Sequence, residues 1–441
     1  MRLSDEDRAL LATRRSHTLE AMGEGVMLLP AATELIRSGD THFPFRQDSD
    51  FGYVTGFPEP DAVAVLAVGA EHPYALFVRP RDPEQAVWVG PRAGVEGAVA
   101  DHDANVAHPL HDLEKELPAW LTKANQVFLP FARDDALTRR LMALIRWAHG
   151  QRPRTGAGPT VLRDAGEILH ELRLKKAPAE VARLRDTIAI AAEAHRAAMR
   201  TVRPGMHEYE IEALIDGVFR RRGASGPAYP SIVASGANAT ILHYTANDRA
   251  VGAGELLLID AGSERAGYCA DVTRTFPTGR RYDPAQRDLY DAVLAAQLAA
   301  IGTARPGTTL DALHTTAVRV LSEALVGLGL LEGSVDEVVE HEKYKRFYMH
   351  RTSHWLGRDV HDVGQYKIGD TPRALEPGMV FTVEPGLYVP ADAEDVAAPF
   401  RGIGIRIEDD VLVTPDGIEV LSAAVPKQVE EIEALREAAQ A

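Results

Sequence analysis

The chain has 441 residues, 45% of them hydrophobic, which is enough for two or three domains with large cores. It carries 48 basic against 64 acidic residues, a formal net charge of −16. Surfaces that bind nucleic acid or anionic membranes need a basic excess, so we expect neither partner.

No apolar run reaches the ~20 residues of a membrane span, and the acidic N-terminal stretch lacks the apolar segment of a secretory signal. The single cysteine, Cys269, excludes an intramolecular disulfide and fits a reducing compartment. We therefore expect a cytoplasmic location, with Cys269 acting as a small buried hydrophobe rather than a nucleophile.

Residues 1–174 mix helix and strand signals, which predicts an N-terminal mixed α/β domain. Apolar runs predict four short strands, at residues 63–68, 74–78, 86–89 and 126–130. The third of these contains Trp88. The domain boundary is predicted near Lys175, after a helical segment.

Residues 175–441 form the second predicted domain. Periodic apolar residues predict four helices, at 179–202, 208–222, 286–304 and 310–328. The helices pair around two Arg-Pro-Gly turns, at 203–205 and 305–307, and each pair precedes strand-like segments. This faint internal repeat suggests two pseudo-symmetric halves around one site, and the fold class is expected to be α+β.

Four carboxylates and one histidine lie within or at the ends of these strand-like segments: Asp260, Asp271, His354, Glu384 and Glu408. Four acidic groups directed at one place repel strongly unless cations hold them there. An oxygen-rich, hard ligand set favours Mn²⁺, with Co²⁺ or Mg²⁺ as alternatives, over structural Zn²⁺. A hydrolytic site with two divalent metal ions is therefore the leading hypothesis.

Two details of this site follow from strand patterns. With a turn at residues 264–267, a regular hairpin would place Asp260 directly opposite Asp271. The alternating run 403–408 puts Gly404, Arg406 and Glu408 on one face, which predicts a polar cleft with a close approach of the backbone.

A single-zinc metallopeptidase is a poorer interpretation. His350 and His354 are four residues apart, but Arg351 stands where that motif needs Glu, and Gly357 argues against a helix.

Several segments resemble the Xaa-Pro aminopeptidase (aminopeptidase P) family, which belongs to the pita-bread metallopeptidases together with methionine aminopeptidase and prolidase. They are LLLIDAGSERAGYCADVTRTFP, HRTSHWLGRDVHDVG, GMVFTVEPGLY and GIGIRIEDDVLVT. The segment FRQDSDFGYVTGFPEPDAV resembles the N-terminal domain of the same family. The resemblance implies a pita-bread catalytic domain over 175–441 that cleaves the bond before a proline in the second position of a peptide.

The resemblance also implies roles for individual residues. Metal binding falls on the five ligands above, with Asp271 and Glu408 bridging two ions and a bridging hydroxide attacking the carbonyl. The family's substrate-contacting histidines fall on His243, His350 and His361. We further expect Glu384 to shuttle the proton, and His350 and His361 to stabilise the oxyanion. Substrate contacts are expected from His243, Tyr229, Arg406 and Trp88, the last reaching the site from a neighbouring subunit of a dimer or tetramer.

One position departs from the family. Arg351 follows His350 where related enzymes usually have glycine, which leaves the ligands intact but affects the local loop. Three alternatives stay open from the sequence: a prolidase with the same ligands, a protein of this fold that only binds partners, and a creatinase-like amidinohydrolase.

Overall fold

The computed structural model describes residues 3–439. The chain divides into two compact units, with the boundary between Arg173 and Leu174. Each unit builds its own hydrophobic core around its own strands. None of the described helices combines the length and the apolar character that crossing a bilayer requires.

The first unit mixes helices and strands. Its helices are α1 (Asp5–Met22), α2 (Ser49–Thr55), α3 (Pro83–Val89), α4 (Gly94–His102), α5 (Leu113–Glu116), α6 (Pro118–Leu121), α7 (Ala136–Thr155) and α8 (Gly166–Leu174), which ends one residue past the boundary. Its strands are β1 (Val26–Pro30), β2 (Ile36–Ser38), β3 (Thr41–His42), β4 (Val63–Ala67), β5 (Tyr74–Val78), β6 (Val106–Pro109), β7 (Gln126–Leu129) and β8 (Val161–Asp164).

Six of these strands form one mixed sheet in the order β6-β5-β4-β1-β7-β8. Strand β4 runs antiparallel to β1 and β5, whereas the outer strands join in parallel. Met27 and Leu29 of β1 pack into a core on one face, and Val26 and Leu28 pack into a core on the other. Burial on both faces explains why these strands are continuous apolar runs, and the predicted strands at 63–68, 74–78 and 126–130 are confirmed.

The predicted strand at residues 86–89 is wrong, because this segment belongs to helix α3. The side chain of Asp82 accepts hydrogen bonds from the backbone N–H groups of Glu84 and Gln85, and Pro83 occupies the first turn. These helix-start signals outweigh the strand preference of the two valines. Trp88 consequently lies on an exposed helix, with 83% of its surface accessible.

The second unit combines paired helices with small antiparallel sheets. Its helices are α9 (Pro178–Thr201), α10 (Glu208–Arg221), α11 (Pro284–Thr303), α12 (Leu310–Gly327), α13 (Val335–Glu340) and α14 (Val429–Ala439). Its strands are β9 (Gly226–Pro227), β10 (Ile232–Ser235), β11 (Leu256–Asp260), β12 (Ser263–Arg265), β13 (Tyr268–Cys269), β14 (Thr273–Pro277), β15 (Lys367–Ile368), β16 (Thr371–Pro372), β17 (Val380–Val383), β18 (Gly386–Val389), β19 (Ile403–Arg406), β20 (Asp409–Thr414) and β21 (Gly417–Val420).

The four predicted helices are confirmed within two residues at each end. Helix α9 packs against α10, and α11 packs against α12. Gly205 and Gly307, which end the two Arg-Pro-Gly turns, have φ angles of 94° and 88°. Both values lie in the region that favours glycine, which explains why each turn ends in this residue.

Eight of these strands form the sheets β10-β11-β14, β17-β20-β21 and β18-β19, which pack on the paired helices. The other five form the sheets β13-β12-β9 and β15-β16. Cys269 is buried there, as expected. A Cβ atom on Gly404 of β19 would overlap the carbonyl group of Ala239, so the predicted close backbone approach is also confirmed. The four candidate carboxylates lie at or just after the ends of β11, β17 and β19, and just before β14, whereas His354 lies in a loop.

Candidate metal centre

Each candidate ligand is delivered by a strand or by a loop tied to one. Asp260 ends β11, Asp271 precedes β14, Glu384 follows β17, and Glu408 lies between β19 and β20. His354 lies in a loop, and its carbonyl oxygen accepts a 2.9 Å hydrogen bond from the backbone N–H of Thr382 in β17. Buried apolar strands therefore hold the backbone of the polar groups in fixed positions.

The hairpin that carries the two aspartates has a different register from the predicted one. Asp260 pairs with Thr273 rather than with Asp271. The turn residues are Ala266 and Gly267, with φ angles of 52° and 72°, which is typical of a two-residue type I′ turn. Asp260 and Asp271 are therefore diagonal neighbours, still within reach of each other but not directly opposed.

Asp271, His354 and Glu408 form the centre of the cluster. One ligand-type atom from each lies within 4.8 Å of the others. The Nε2 atom of His354 lies 3.4 Å from Oδ2 of Asp271 and 3.5 Å from Oε1 of Glu384. Four of the five candidate ligands thus converge on one small volume.

Asp260 joins this group through Tyr229. The Tyr229 hydroxyl lies 2.6 Å from Oδ1 of Asp260 and 2.5 Å from Oδ1 of Asp271. A hydroxyl has one proton and can donate to only one carboxylate at a time. The second carboxylate would therefore repel the hydroxyl oxygen at this distance, unless a proton on that carboxyl group or a bound cation lies between them.

The pKa values of the carboxyl groups show that their burial close to one another disfavours the charged forms. Burial raises the pKa of Glu384 to about 7, even though the charge of His354 opposes the shift. Burial, followed by the charge of Asp271, raises the pKa of Glu408 well above its usual range. Burial also raises the pKa of Asp260. Without a bound cation, these groups hold protons at a pH where carboxyl groups are normally ionised.

The pKa of His354 is raised as well, and for a histidine this favours the charged form. Burial lowers its pKa, but its contact with Asp271 and the charges of Glu384 and Asp271 outweigh burial and raise the value to about 9. The raised pKa values of His354, Glu384 and Glu408 all indicate that the cluster favours bound positive charge. Four carboxylates and one imidazole suit hard divalent ions, so the residues present fit a divalent metal site.

A chain of hydrogen bonds runs beside the cluster. Arg406 donates from Nη2 to Oδ2 of Asp260 at 2.6 Å and from Nη1 to the hydroxyl oxygen of Tyr388 at 2.9 Å. The Tyr388 hydroxyl lies 2.9 Å from Nε2 of His350, whose Nδ1 lies 2.8 Å from the carbonyl oxygen of Arg351. A carbonyl only accepts, so Nδ1 of His350 donates and Nε2 accepts from Tyr388. Tyr388 was not identified from the sequence. The available signal was its position in a short strand that begins two residues after Glu384.

The other expected substrate residues also lie close by. The rings of His354 and His361 are 4.4 Å apart, edge to face. His243 is exposed. Burial lowers the pKa of His350 and of His361, followed by the charges of Arg406 and His354 respectively, and His243 contributes the smallest effect in the same direction to both. The structure thus groups three expected histidines around the cluster, whereas Trp88 belongs to the other unit.

Two acids behind the cluster were not identified from the sequence. Asp410 accepts a 3.2 Å hydrogen bond from the backbone N–H of Asp271, and burial together with the Asp271 charge raises its pKa well above normal. Asp409 is buried and accepts from Arg274 at 2.7 Å and from Lys427 at 2.6 Å. These contacts fix the backbone beside Glu408. Asp409 directly follows Glu408 and Asp410 comes next, and this nearness to a ligand was the signal that could have drawn attention to them.

Comparison with known proteins agrees with this geometry. Residues 182–415 match the model of metallopeptidase family M24, and residues 11–128 match that of the aminopeptidase P N-terminal domain. The chain is 43% identical to an Xaa-Pro aminopeptidase of Escherichia coli, with 99% of each chain covered.

Solved structures agree as well. An aminopeptidase from Pseudomonas aeruginosa superposes with a TM-score of 0.96 at 47% identity, covering 100% of this chain and 99% of that one. Aminopeptidase P from E. coli with the inhibitor Pro-Leu gives 0.94 at 42% identity, with 100% of both chains covered. The expected fold class is therefore confirmed: α+β, with an N-terminal mixed α/β domain and a pita-bread catalytic domain. The chain belongs to metallopeptidase family M24 and, within it, to the aminopeptidase P enzymes.

Proposed function

We propose that this chain is an Xaa-Pro aminopeptidase, which releases the N-terminal residue from peptides with proline in the second position. The observation that carries the proposal is the convergence of Asp271, His354 and Glu408, joined by Glu384 and Asp260, in a family M24 chain. The near-complete coverage of relatives with this named activity supports the same assignment.

The proposal includes the metal itself. These five side chains would hold two divalent ions, and their predominance of oxygen ligands favours Mn²⁺. Bound ions of this kind supply Lewis acidity, which stabilises charge on a carbonyl oxygen and makes a water molecule more acidic. A cytoplasmic location and a homo-oligomer are further parts of the proposal.

Glu384 is assigned the proton transfer. Its carboxylate lies 3.5 Å from Nε2 of His354, within the cluster that would hold the ions, which supports a role in taking a proton from the attacking water and giving it back. In the proposed reaction, Glu384 accepts a proton from the attacking water as the water oxygen bonds to the carbonyl carbon. The carbon–nitrogen bond then breaks, and the proton passes to the proline nitrogen.

His350 and His361 are given different roles in the proposal. The Nδ1 proton of His350 is already donated to the carbonyl of Arg351, and its Nε2 accepts from Tyr388. We therefore assign the contact with the oxyanion to His361, and we assign to His350 a place in the wall of the substrate site. Burial lowers the pKa of both rings, which keeps them neutral at pH 7.

The preference for peptides with proline in the second position is assigned to the side chains that line the proposed substrate site. An Xaa-Pro bond has no amide N–H, so a site without a matching acceptor and lined by flat side chains favours it. His243, Tyr229 and Arg406 are the proposed wall residues of the catalytic unit. Trp88, exposed on α3, is proposed to complete the site of a neighbouring subunit.

A substrate comparison tests the function. Protein stripped of metal and reloaded with Mn²⁺ should hydrolyse Ala-Pro-Ala, and the metal-free protein should not. Cleavage of the dipeptide Ala-Pro but not the tripeptide would identify a prolidase instead. Failure to cleave either peptide with metal bound would favour a protein that only binds partners.

A further inference from the structure

A cavity of about 560 Å³ lies beside the metal cluster, with His354 and His361 in its wall. Leu310 at the start of α12, and Lys367 and Pro372 of the β15–β16 hairpin, line it as well. This volume is in the usual range for sites that bind small ligands. The cavity is therefore continuous with the proposed reaction site and large enough to take part of a peptide.

The cavity is basic in an otherwise acidic protein. Arg351, Lys367 and Arg373 line it, whereas Asp311 is the one carboxylate among the described lining residues. Burial, followed by the charge of Arg351, lowers the pKa of His314 in the same wall to about 4, so this ring is neutral at pH 7. The described lining of this cavity thus has three cations against one carboxylate, in a chain with a net charge of −16.

Arg351 is the cation best placed to exchange partners. Its guanidinium pairs with Asp311, and the two side chains are 62% and 44% exposed. Exposed ion pairs add little net stability, so a ligand carboxylate can replace Asp311 at low cost. The carbonyl oxygen of Arg351 meanwhile holds His350, so the backbone is fixed while the side chain remains accessible.

The charge of the cavity also favours one orientation of a bound peptide over the reverse one. A peptide has a cationic amino end and, at its other end or in acidic side chains, carboxylates. The basic cavity repels the first and attracts the second. The residues that follow proline are consequently the part of the peptide that this cavity suits.

We propose that the cavity binds the part of the peptide that follows proline, and that Arg351 and Lys367 select substrates with a carboxylate there. The inference rests on the proposed Xaa-Pro aminopeptidase activity. The carboxylate has two possible sources: the free C-terminus of a tripeptide, or an acidic side chain in a longer peptide.

Two matched peptide pairs distinguish these sources. Ala-Pro-Ala against Ala-Pro-Ala-amide tests the terminal carboxylate, and Ala-Pro-Glu-Ala-amide against Ala-Pro-Gln-Ala-amide tests the side chain. The metal-loaded protein should show a kcat/KM about fivefold higher for the acidic member of at least one pair, the upper range for an exposed ion pair. The preference should appear mainly in KM and should shrink as salt is raised.

The variants R351Q and K367Q should each reduce this ratio towards one. R346Q is the matched control, because Arg346 is a partly exposed arginine paired with Asp395 and is absent from the cavity wall. Equal kcat/KM values within both pairs, or a preference unchanged in R351Q and K367Q, would overturn the inference. Cleavage without preference refutes the inference alone, whereas no cleavage of any Xaa-Pro peptide refutes the proposed function.

Discussion

The Nη2 atom of Arg406 lies 2.6 Å from Oδ2 of Asp260, so a buried protein cation already balances one of the clustered carboxylates. The same guanidinium reaches Tyr388 through Nη1 and Thr273 through Nε. The planar, three-nitrogen geometry of arginine makes these contacts possible at once. Arg406 therefore connects the metal cluster to the wall that carries His350.

Replacing Arg406 with lysine should lower kcat/KM for Ala-Pro-Ala by about tenfold to a hundredfold, the usual cost of losing charge-assisted hydrogen bonds. A lysine keeps the charge but cannot contact Asp260, Tyr388 and Thr273 together. R401K is a suitable control, because Arg401 donates to the backbone oxygens of Val396 and Glu394. Steady-state kinetics within twofold of the unmodified protein for R406K would contradict the connecting role.

Replacing Glu384 with glutamine should reduce kcat by about a hundredfold or more, because the amide cannot accept and return a proton. Metal content should be measured in the same samples, since Glu384 is also a proposed ligand. E376Q provides the control, because Glu376 is an exposed glutamate paired with Lys175. Unchanged kcat in E384Q with full metal occupancy would refute the proton-transfer role.

The effect of metal on thermal stability should grow with pH. The pKa of Glu384 rises on folding from 4.5 to about 7, so in the metal-free protein this group destabilises the folded state as the pH rises above 4.5, with the full effect reached above 7. Glu408 shifts in the same direction. Bound cations compensate this charge and compete with protons at low pH.

The Tm difference between metal-loaded and metal-free protein should therefore be larger at pH 8 than at pH 5.5, as measured by scanning calorimetry. Comparing the two forms at each pH cancels titrating groups elsewhere in the chain. An equal metal-induced Tm shift at both pH values would show that the buried carboxyl groups do not take up protons as described.

The network behind Glu408 should be important for stability. Asp409 is fully buried and pairs with Arg274 and Lys427. The substitution D409N leaves these cations without a charged partner and should lower the free energy of unfolding by about 3–5 kcal/mol. Urea titration followed by circular dichroism measures the loss. D395N, which removes an exposed partner of Arg346, should cause no measurable change, and equal stability of D409N would contradict this role.

The sequence was most informative where local patterns determine structure. Asp260 and Glu384 could be recognised because each ends or follows a buried apolar strand, and strands of this kind are readily predicted. The hairpin register could not be predicted in the same way. It depends on Ala266 adopting a left-handed conformation, which alanine rarely does and which no local pattern signals.

Other features depend on tertiary contacts that a single sequence does not reveal. The role of Tyr388 follows from its position between Arg406 and His350, which are 18 and 38 residues away in the chain. Asp410 likewise accepts its hydrogen bond from the backbone of Asp271, which is 139 residues away in the chain. At Trp88, a helix-start signal before the segment outweighed its strand-like composition.

Metal stoichiometry tests the central claim most directly. Metal-free protein should be titrated with Mn²⁺ while bound metal per chain and hydrolysis of Ala-Pro-Ala are followed together. We expect two ions per chain and activity that appears as the sites fill, with both lost in D271N. Full activity without bound metal, or D271N with unchanged metal content and activity, would contradict the assignment of this cluster as the catalytic metal centre.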